Sequence, residues 1–377
     1  MKVLFLTFWY PTKSNFGKGI FIKEHAKAIK NSGIDISVLF INICYSNNLL
    51  KIKKESYFDE DGLDTNIIII SSWFYKLLYA NPVPLFYLLV KSIQKEIIDP
   101  LRPSVIHANV IFPAGIFGYL LSKKTRLPLV MTEHWSKLKL FFKKNIYKSL
   151  AKKSINHSLF ITTVSEFLKN ELLKIIDIPD KILIVPNVVS KDFFYIPKSL
   201  DSAYITFTSV ATWKYPKRLD LILFALEKLA ESTSKQIILN LVGNGPELQR
   251  ICHVNNKFRF VINLLEEIPK KMLPNILQTS DFFIHASEIE TFSVVIAEAL
   301  MTGTPVIASN VGAIPELINH RNGILCDNTK GDWQGKIKNI INTSFNNFQI
   351  AEEVKNKYSE KTIGCSFINL YKKFLNQ

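Results

Sequence analysis

Glu290 and Glu298 stand eight residues apart within Ser287–Ile318, SEIETFSVVIAEALMTGTPVIASNVGAIPELI. The apolar run before them, Asp281–His285, has the character of a strand, and the run after Phe292 keeps helical spacing up to Gly303. Glu290 is therefore expected in a loop after a strand, and Glu298 inside the helix that the loop enters. A helix start carries backbone N–H groups without intrahelical acceptors, at the positive end of the dipole. The N–H groups of Phe292, Ser293 and Val294 could face a diphosphate there. An ordinary strand–loop–helix unit with solvated glutamates fits the same spacing, so both readings stand on these residues alone.

Other groups with chemical potential read more plainly. His107 and His285 each end a strand-like run, and a satisfied structural histidine is the simpler expectation for both. Trp213 reads as packing. Asp59-Glu60-Asp61 has the shape of a metal-holding D-x-D but precedes the strand at Ile67–Ile70, and reads as a solvated acidic turn. Cys44, Cys252, Cys326 and Cys365 lie far apart, which excludes a disulfide scaffold, a CxxC redox site and a Cys-rich zinc module. Such usage fits a reducing compartment.

The elements that must position these groups alternate between strand and helix. Lys2–Thr7, Ile36–Asn42, Val105–Ala108, Leu129–Thr132, Leu159–Val164 and Ile182–Val185 read as strands with helical stretches between several of them. After a break at 186–200, a second series runs through Tyr204–Val210, Ile237–Val242, Phe258–Ile262, Asp281–His285 and Pro305–Ser309. Alternation of this kind predicts α/β architecture with parallel sheets covered by helices. The expectation is two doubly wound Rossmann-like domains, 1–190 and 200–360, facing one interdomain cleft, with a C-terminal helix near 360–377 returning to the first. Ligands of such sheets bind at the carboxyl ends of the strands. The start MKVLFLTFWYP lacks a signal peptide's long apolar region, and no run of 18 apolar residues offers a membrane span.

The chain of 377 residues carries a formal net charge of +15. Residues 1–200 hold 28 Lys and Arg against 15 Asp and Glu, a net of +13, whereas residues 201–377 hold 19 against 17, a net of +2. A basic excess points to an acidic partner. Lysine-rich composition, 41 Lys to 6 Arg, raises the total but does not explain its uneven spread.

Several motifs occur in one order. They are Gly17-Lys18-Gly19 with Phe21, Val105–Ala108 with Pro113 and Gly115, Thr132-Glu133-His134, Thr163-Val164-Ser165 and Val185-Pro186-Asn187-Val188. Lys217 with Asp220, Val242-Gly243-Asn244-Gly245-Pro246, and the Glu290/Glu298 region with its extension G-T-P-V-I-A follow. Together they resemble the glycosyltransferase family 4 enzymes of the GT-B fold, over most of the chain. Thr212 stands where the family usually has Arg, Arg218 where it has Gly, Asn109 where a second His is common, and Gly312-Ala313 where it has Gly-Gly.

The resemblance implies a retaining hexosyltransferase. It would move a sugar from a nucleotide-sugar donor (UDP-, GDP- or ADP-sugar) to a glycan or lipid-linked glycan acceptor, with no metal or other cofactor required. It implies catalytic roles for Glu290, Lys217 and His134, with Lys217 as the phosphate cation and His134 near the sugar. Glu298 would bind ribose, and the start of its helix (Phe292, Ser293, Val294), with Gly243 and Arg218, would serve the donor. The Gly17–Gly19 loop would allow close main-chain approach. Alternatives are a GT-B-like sugar-nucleotide epimerase and a non-enzymatic polyanion-binding protein. RNA-binding motifs are absent, and no nucleic-acid partner is expected.

Trp135–Ser154 holds seven Lys and no acid. Its apolar stripe includes Phe142, and Lys137, Lys144 and Lys148 lie opposite. That pattern suits a helix lying on an anionic membrane, and equally a surface helix packed on its own core. Trp73–Leu89 is a second aromatic-rich segment that could line an acceptor groove. The composite expectation is a cytoplasmic enzyme, peripheral on the inner membrane face, extending a lipid-linked glycan in bacterial surface polysaccharide assembly.

Overall fold

Strands covered on both faces read as unbroken apolar runs, because neither face meets water. KVLFLT, VIHAN and LVMTE are of this kind, and each lies at the centre of a sheet. The structure is a computed structural model that describes residues 1–12, 17–135, 142, 145–197, 203–252, 257–266 and 268–375. It divides into two compact units, Met1–Val188 with the segment from Glu360 onward, and Val189–Ser359.

The first unit holds an eight-stranded sheet in the order β3-β4-β2-β1-β5-β6-β7-β8. Its strands are β1 (Lys2–Thr7), β2 (Asp35–Tyr45), β3 (Lys51–Phe58), β4 (Asp64–Ser72), β5 (Val105–Asn109), β6 (Leu129–Glu133), β7 (Ile161–Thr163) and β8 (Ile182–Ile184). All neighbours are parallel except the edge strand β3, which runs antiparallel to β4. β1 pairs with β2 on one side and β5 on the other, so the winding reverses there. Helices α1 (Ile20–Asn31), α2 (Val83–Ile93) and α3 (Asn145–His157) belong to this unit.

The second unit holds a six-stranded parallel sheet in the order β11-β10-β9-β12-β13-β14. The strands are β9 (Tyr204–Val210), β10 (Gln236–Val242), β11 (Val261–Leu265), β12 (Phe282–His285), β13 (Val306–Ser309) and β14 (Gly323–Cys326). Its reversal falls between β9 and β12. Helix α4 (Val294–Met301) follows β12.

Three strands depart from the sequence reading. β3 (KIKKESYF) was not expected, since an exposed edge strand needs no apolar face. β14 is only four residues long and opens with glycine. β11 begins at Val261, three residues later than the apolar run at Phe258 suggested.

The stripe of the Lys-rich segment is corrected. Phe142 is buried in the core of the first unit, together with Tyr147, Ala151 and Ile155, and Leu150 packs against them. The stripe therefore covers its own sheet, and Phe142 is not part of a membrane face. Lys148 stays exposed. Lys137 and Lys144 lie outside the described residues.

The C-terminal helix (Glu360–Leu375) buries Ile363, Phe367 and Tyr371 in the first unit. Its Gly364 lies against α1 so closely that a Cβ would fall 2.1 Å from Ser32 Oγ and 2.3 Å from the Ala28 carbonyl oxygen. Gly364→Val should therefore separate the two helices. The expected cost is about 1–3 kcal/mol of stability, read as a lower midpoint in urea unfolding; an unchanged midpoint would contradict this packing.

Candidate functional site

Two loops leave the second unit's sheet at its reversal, one after β9 and one after β12, where ligands of open α/β sheets bind. Backbone bonds hold the loops edge to edge. Arg218 N–H donates to the Ala286 carbonyl at 3.0 Å, and Glu288 N–H donates to the Pro216 carbonyl at 2.9 Å. The loop after β9 is also locked to the loop after β10. The buried Trp213 indole N–H donates to the Val242 carbonyl at 3.1 Å, and Trp213 N–H donates to the Asn244 carbonyl at 2.7 Å. Gly243 and Gly245 have φ of +113° and +143°, and Cβ atoms there would lie 2.0 Å from Ala211 O and 2.4 Å from Trp213 O. These glycines are required by loop-to-loop contact.

This scaffold brings Lys217, His285 and Glu290 together. Lys217 Nζ forms an ion pair with Glu290 Oε1 and lies 3.1 Å from His285 Nε2. His285 Nε2 lies 2.9 Å from the same carboxylate oxygen. Burial and the neighbouring Lys217 charge keep the His285 imidazole below its usual range, so it is neutral. Its Nε2–H then donates to Glu290, and the Lys217–His285 approach is a contact between two donors converging on one oxygen. Burial alone would raise the Glu290 pKa. The His285 hydrogen bond and the Lys217 charge outweigh it and hold the value at about 2. Glu290 is thus a fixed anion near neutrality, suited to stabilising positive charge or accepting hydrogen bonds and unsuited to donating a proton.

Glu290 is also held through its backbone. Ala313 N–H donates to its carbonyl at 3.0 Å, and a Cβ on Gly312 (φ +56°) would fall 2.1 Å from that oxygen. Three residues on, Ser293 caps α4 in the left-handed region, at φ +67°, a conformation uncommon for a residue with a side chain. Its Oγ is buried with no hydrogen-bond partner. Ile296 N–H donates to the Ser293 carbonyl at 3.2 Å, and the two N–H groups ahead of it, of Val294 and Val295, have no intrahelical acceptor. Phe292 is buried with its ring 5.4 Å from that of Tyr358, so only its main chain is available to a ligand. Glu298 is buried one turn into α4.

Arg218 is a correction. Its guanidinium binds Asp220 bidentately, both bonds 2.8 Å, and Glu288 at 2.5 Å. Its charge is met by two carboxylates, against one for Lys217, so it is the less available of the two to a phosphate. Lys217 is the cation at the centre of the cluster.

In the first unit, Gly19 caps α1 at φ +72°, and a Cβ there would lie 2.3 Å from Trp9 O; at Gly17 a Cβ would meet nothing within 4 Å. Only Gly19 is dictated by close approach. His134 follows β6, buried, with its ring 4.8 Å from Phe21 and 5.3 Å from His25. Its partner in position is Glu133, a fully buried carboxylate. Glu133 accepts N–H bonds from Ile111 (2.8 Å), His134 (2.9 Å) and Trp135 (2.6 Å). It joins the loops after β5 and β6. Burial pushes its pKa up to about 7 against the lowering effect of those bonds. His25 donates to the Pro186 carbonyl at 2.9 Å, and His107 bridges Tyr371 Oη (2.6 Å) and Thr132 Oγ1 (2.7 Å). His107 is structural, as its position suggested.

Sequence reading quoted Glu133 only within Thr132-Glu133-His134 and expected a satisfied structural histidine at His285, which the structure shows buried and hydrogen-bonded to Glu290. The signal for His285 was present: it closes β12, five residues before Glu290. The acidic turn at 59–61 is only partly solvated: Glu60 is exposed and Asp59 is nearly buried, and Glu60, Asp59 and Asp61 lie 3.1, 3.3 and 2.8 Å from the buried ammonium of Lys23.

Two parallel α/β units of this kind define the GT-B class. Solved structures agree. HepE from Anabaena, in complex with UDP, superposes with a TM-score of 0.73 at 16% identity, covering 99% of this chain and 100% of that one. The family model "Glycosyltransferase Family 4" matches residues 17–193, and "Glycosyl transferases group 1" matches residues 192–361. The chain belongs to glycosyltransferase family 4, and it is a hexosyltransferase. It is 23% identical over 337 residues to N-acetyl-alpha-D-glucosaminyl L-malate synthase of Bacillus anthracis, covering 86% of this chain and 83% of that protein. It is also 23% identical over 343 residues to a putative teichuronic acid biosynthesis glycosyltransferase, TuaC, of Bacillus subtilis, covering 86% and 85%. No helix among the described residues is long and apolar enough to cross a membrane.

The buried groups of the first unit set a pH dependence. Burial lowers His25 to about 4, His107 to about 3 and His134 well below its usual 6.5. Each binds a proton in the unfolded chain before it does in the folded one, so its contribution is full above pH 6.5 and is lost as pH falls. Glu133, raised from 4.5 to about 7, acts in the opposite sense between those values. Three histidines outweigh one carboxylate. The thermal midpoint should therefore fall from pH 7 to pH 5. The fall should flatten in a His25→Gln/His107→Gln variant and steepen in Glu133→Gln. Equal slopes in all three proteins would contradict this account.

Proposed function

We propose that the protein is a retaining transferase taking its sugar from a nucleoside diphosphate donor, which the second unit binds. The observation that carries this reading is the Lys217–His285–Glu290 cluster beside the start of α4. It puts one cation, one fixed anion and a helix start with a buried hydroxyl at the sheet's point of reversal. When the bond from sugar C1 to the diphosphate oxygen breaks, negative charge grows on the phosphate and positive charge on the ring. Lys217 and the first-turn N–H groups serve the leaving diphosphate, and Glu290 serves the sugar. Glu298 holds the ribose hydroxyls. The acceptor hydroxyl oxygen bonds to C1 as the bond to the diphosphate breaks, and its proton passes to the departing diphosphate oxygen. On this reading Glu290 positions the sugar, since a carboxylate already committed to Lys217 and His285 is a poor nucleophile.

The first unit takes the acceptor, a glycan or lipid-linked glycan of a bacterial surface polysaccharide. The similarity to TuaC, a putative teichuronic acid biosynthesis glycosyltransferase, supports this class of product, and the UDP bound to HepE supports a nucleotide-sugar donor. The chemistry requires no metal or further cofactor.

A thermal-shift screen against UDP-, GDP- and ADP-sugars should identify the donor, because a ligand of the folded state raises the midpoint. With that donor, Lys217→Ala and Glu290→Gln should each lower kcat by roughly 10²–10³-fold. Glu298→Ala should mainly raise the donor KM. Release of nucleoside diphosphate is the readout. Full turnover in both Lys217 and Glu290 variants would remove these roles, and sugar interconversion without diphosphate release would replace transfer by epimerisation.

A further inference from the structure

The first unit keeps a second apolar surface that its core does not absorb. The turn between β2 and β3 is tied to the end of β4. Ser72 Oγ donates to the Leu49 carbonyl at 2.6 Å, and Trp73 N–H donates to the Asn48 carbonyl at 3.0 Å. Leu49 is 71% exposed and Trp73 60%. The short helix Tyr75–Ala80 buries none of its residues and presents Leu77 outward. After two intervening residues, α2 buries Leu85, Phe86, Leu89 and Ile93 while Tyr87 and Leu88 face solvent, Leu88 at 73%. Several large exposed apolar side chains on consecutive elements of one unit are the kind of surface that marks an interaction site.

The charge around it is of one sign. Residues 43–54 and 65–95 contain no Asp or Glu. Lys53 and Lys54 are neutralised by Glu55 and Glu96. Among the described residues, Lys51, Lys76, Lys91 and Lys95 have no carboxylate at ion-pair distance. A Trp, Tyr and Leu surface set among unpaired lysines is the composition of a protein surface at a lipid headgroup layer. A second copy of this chain is the poorer occupant, because it would bring the same unpaired lysines to the same face. The surface borders the carboxyl end of the sheet, and the Trp9 indole N–H, in the loop leading to Gly19, donates to Tyr79 Oη at 3.2 Å.

We propose that this surface docks the first unit onto an anionic bilayer, with Leu77, Leu88 and Trp73 entering the headgroup boundary and Lys51, Lys76 and Lys91 meeting lipid phosphates. The inference rests on, and deepens, the reading of a lipid-linked acceptor, because it brings the acceptor-binding unit to the place where such a substrate resides.

The test is cosedimentation of the full chain with equimolar phosphatidylcholine/phosphatidylglycerol vesicles and with phosphatidylcholine alone, without donor or acceptor. Partition onto the anionic vesicles should be at least about tenfold stronger. Leu77→Ser/Leu88→Ser and Lys76→Glu/Lys91→Glu should each lose roughly tenfold or more, whereas Lys148→Glu, on α3, should lose far less. Circular dichroism and an unchanged unfolding midpoint establish that the variants fold. Absence of binding, equal binding by wild type and both double variants, or a concentration-dependent dimer abolished by Leu77→Ser/Leu88→Ser would each overturn the proposal. Donor turnover measured without vesicles reports separately on the transferase reading.

Discussion

The second unit is organised around one partly buried ion pair, Lys217 with Glu290. Removing either partner would leave the other charge without its counter-ion at a site largely withdrawn from water. Such pairs contribute little net stability against an apolar replacement. Net stability therefore does not account for the pair's place at a sheet reversal, whereas the proposed handling of charge separation would. The neighbouring structure serves the same end. Trp213, Gly243 and Gly245 fix the loop that carries Lys217, and Gly312 fixes the backbone of Glu290. His285 adds a neutral donor that keeps the carboxylate oriented.

The first unit handles buried polarity by the opposite device. Glu133 has three backbone N–H donors in place of a cation, and nearby His25, His107 and His134 are held neutral by burial. A carboxylate satisfied by main chain fixes loops without introducing a strong local field. The ammonium of Lys23 is enclosed by Asp59, Glu60 and Asp61.

The alternating architecture was legible because strands such as KVLFLT and LVMTE must be apolar on both faces, and that requirement leaves an unmistakable run. β3 was illegible because an edge strand with solvated faces obeys no such requirement. At the candidate site, Glu290, Glu298 and Lys217 were singled out through motif order, and the structure brings Lys217 and Glu290 into contact. His285 and Glu133 were underrated because their importance lies in what they touch. Residues five apart at a strand end, or adjacent as Glu133 and His134 are, have no fixed relation until the loops are built. Arg218 was misassigned for the same reason: its partner Glu288 lies 70 residues away, and only the loop pairing brings it to 2.5 Å.

The Lys-rich segment shows where amphipathic spacing stops being informative. A helix that covers a sheet and a helix that lies on a bilayer need the same periodicity, because both present one apolar stripe to a nonaqueous phase. What separates them is whether the stripe is already used. In α3 it is used, by the core that holds Phe142, Ala151 and Ile155. In α2 one apolar stripe is used and Tyr87 and Leu88 remain beyond it. Net charge cannot make that distinction either, since lysines solubilise a packed helix as readily as they bind phosphate. The distinction comes from unpaired lysines standing beside unsatisfied apolar area, a conjunction that the turn at Leu49, the helix at Leu77 and the outer side of α2 share.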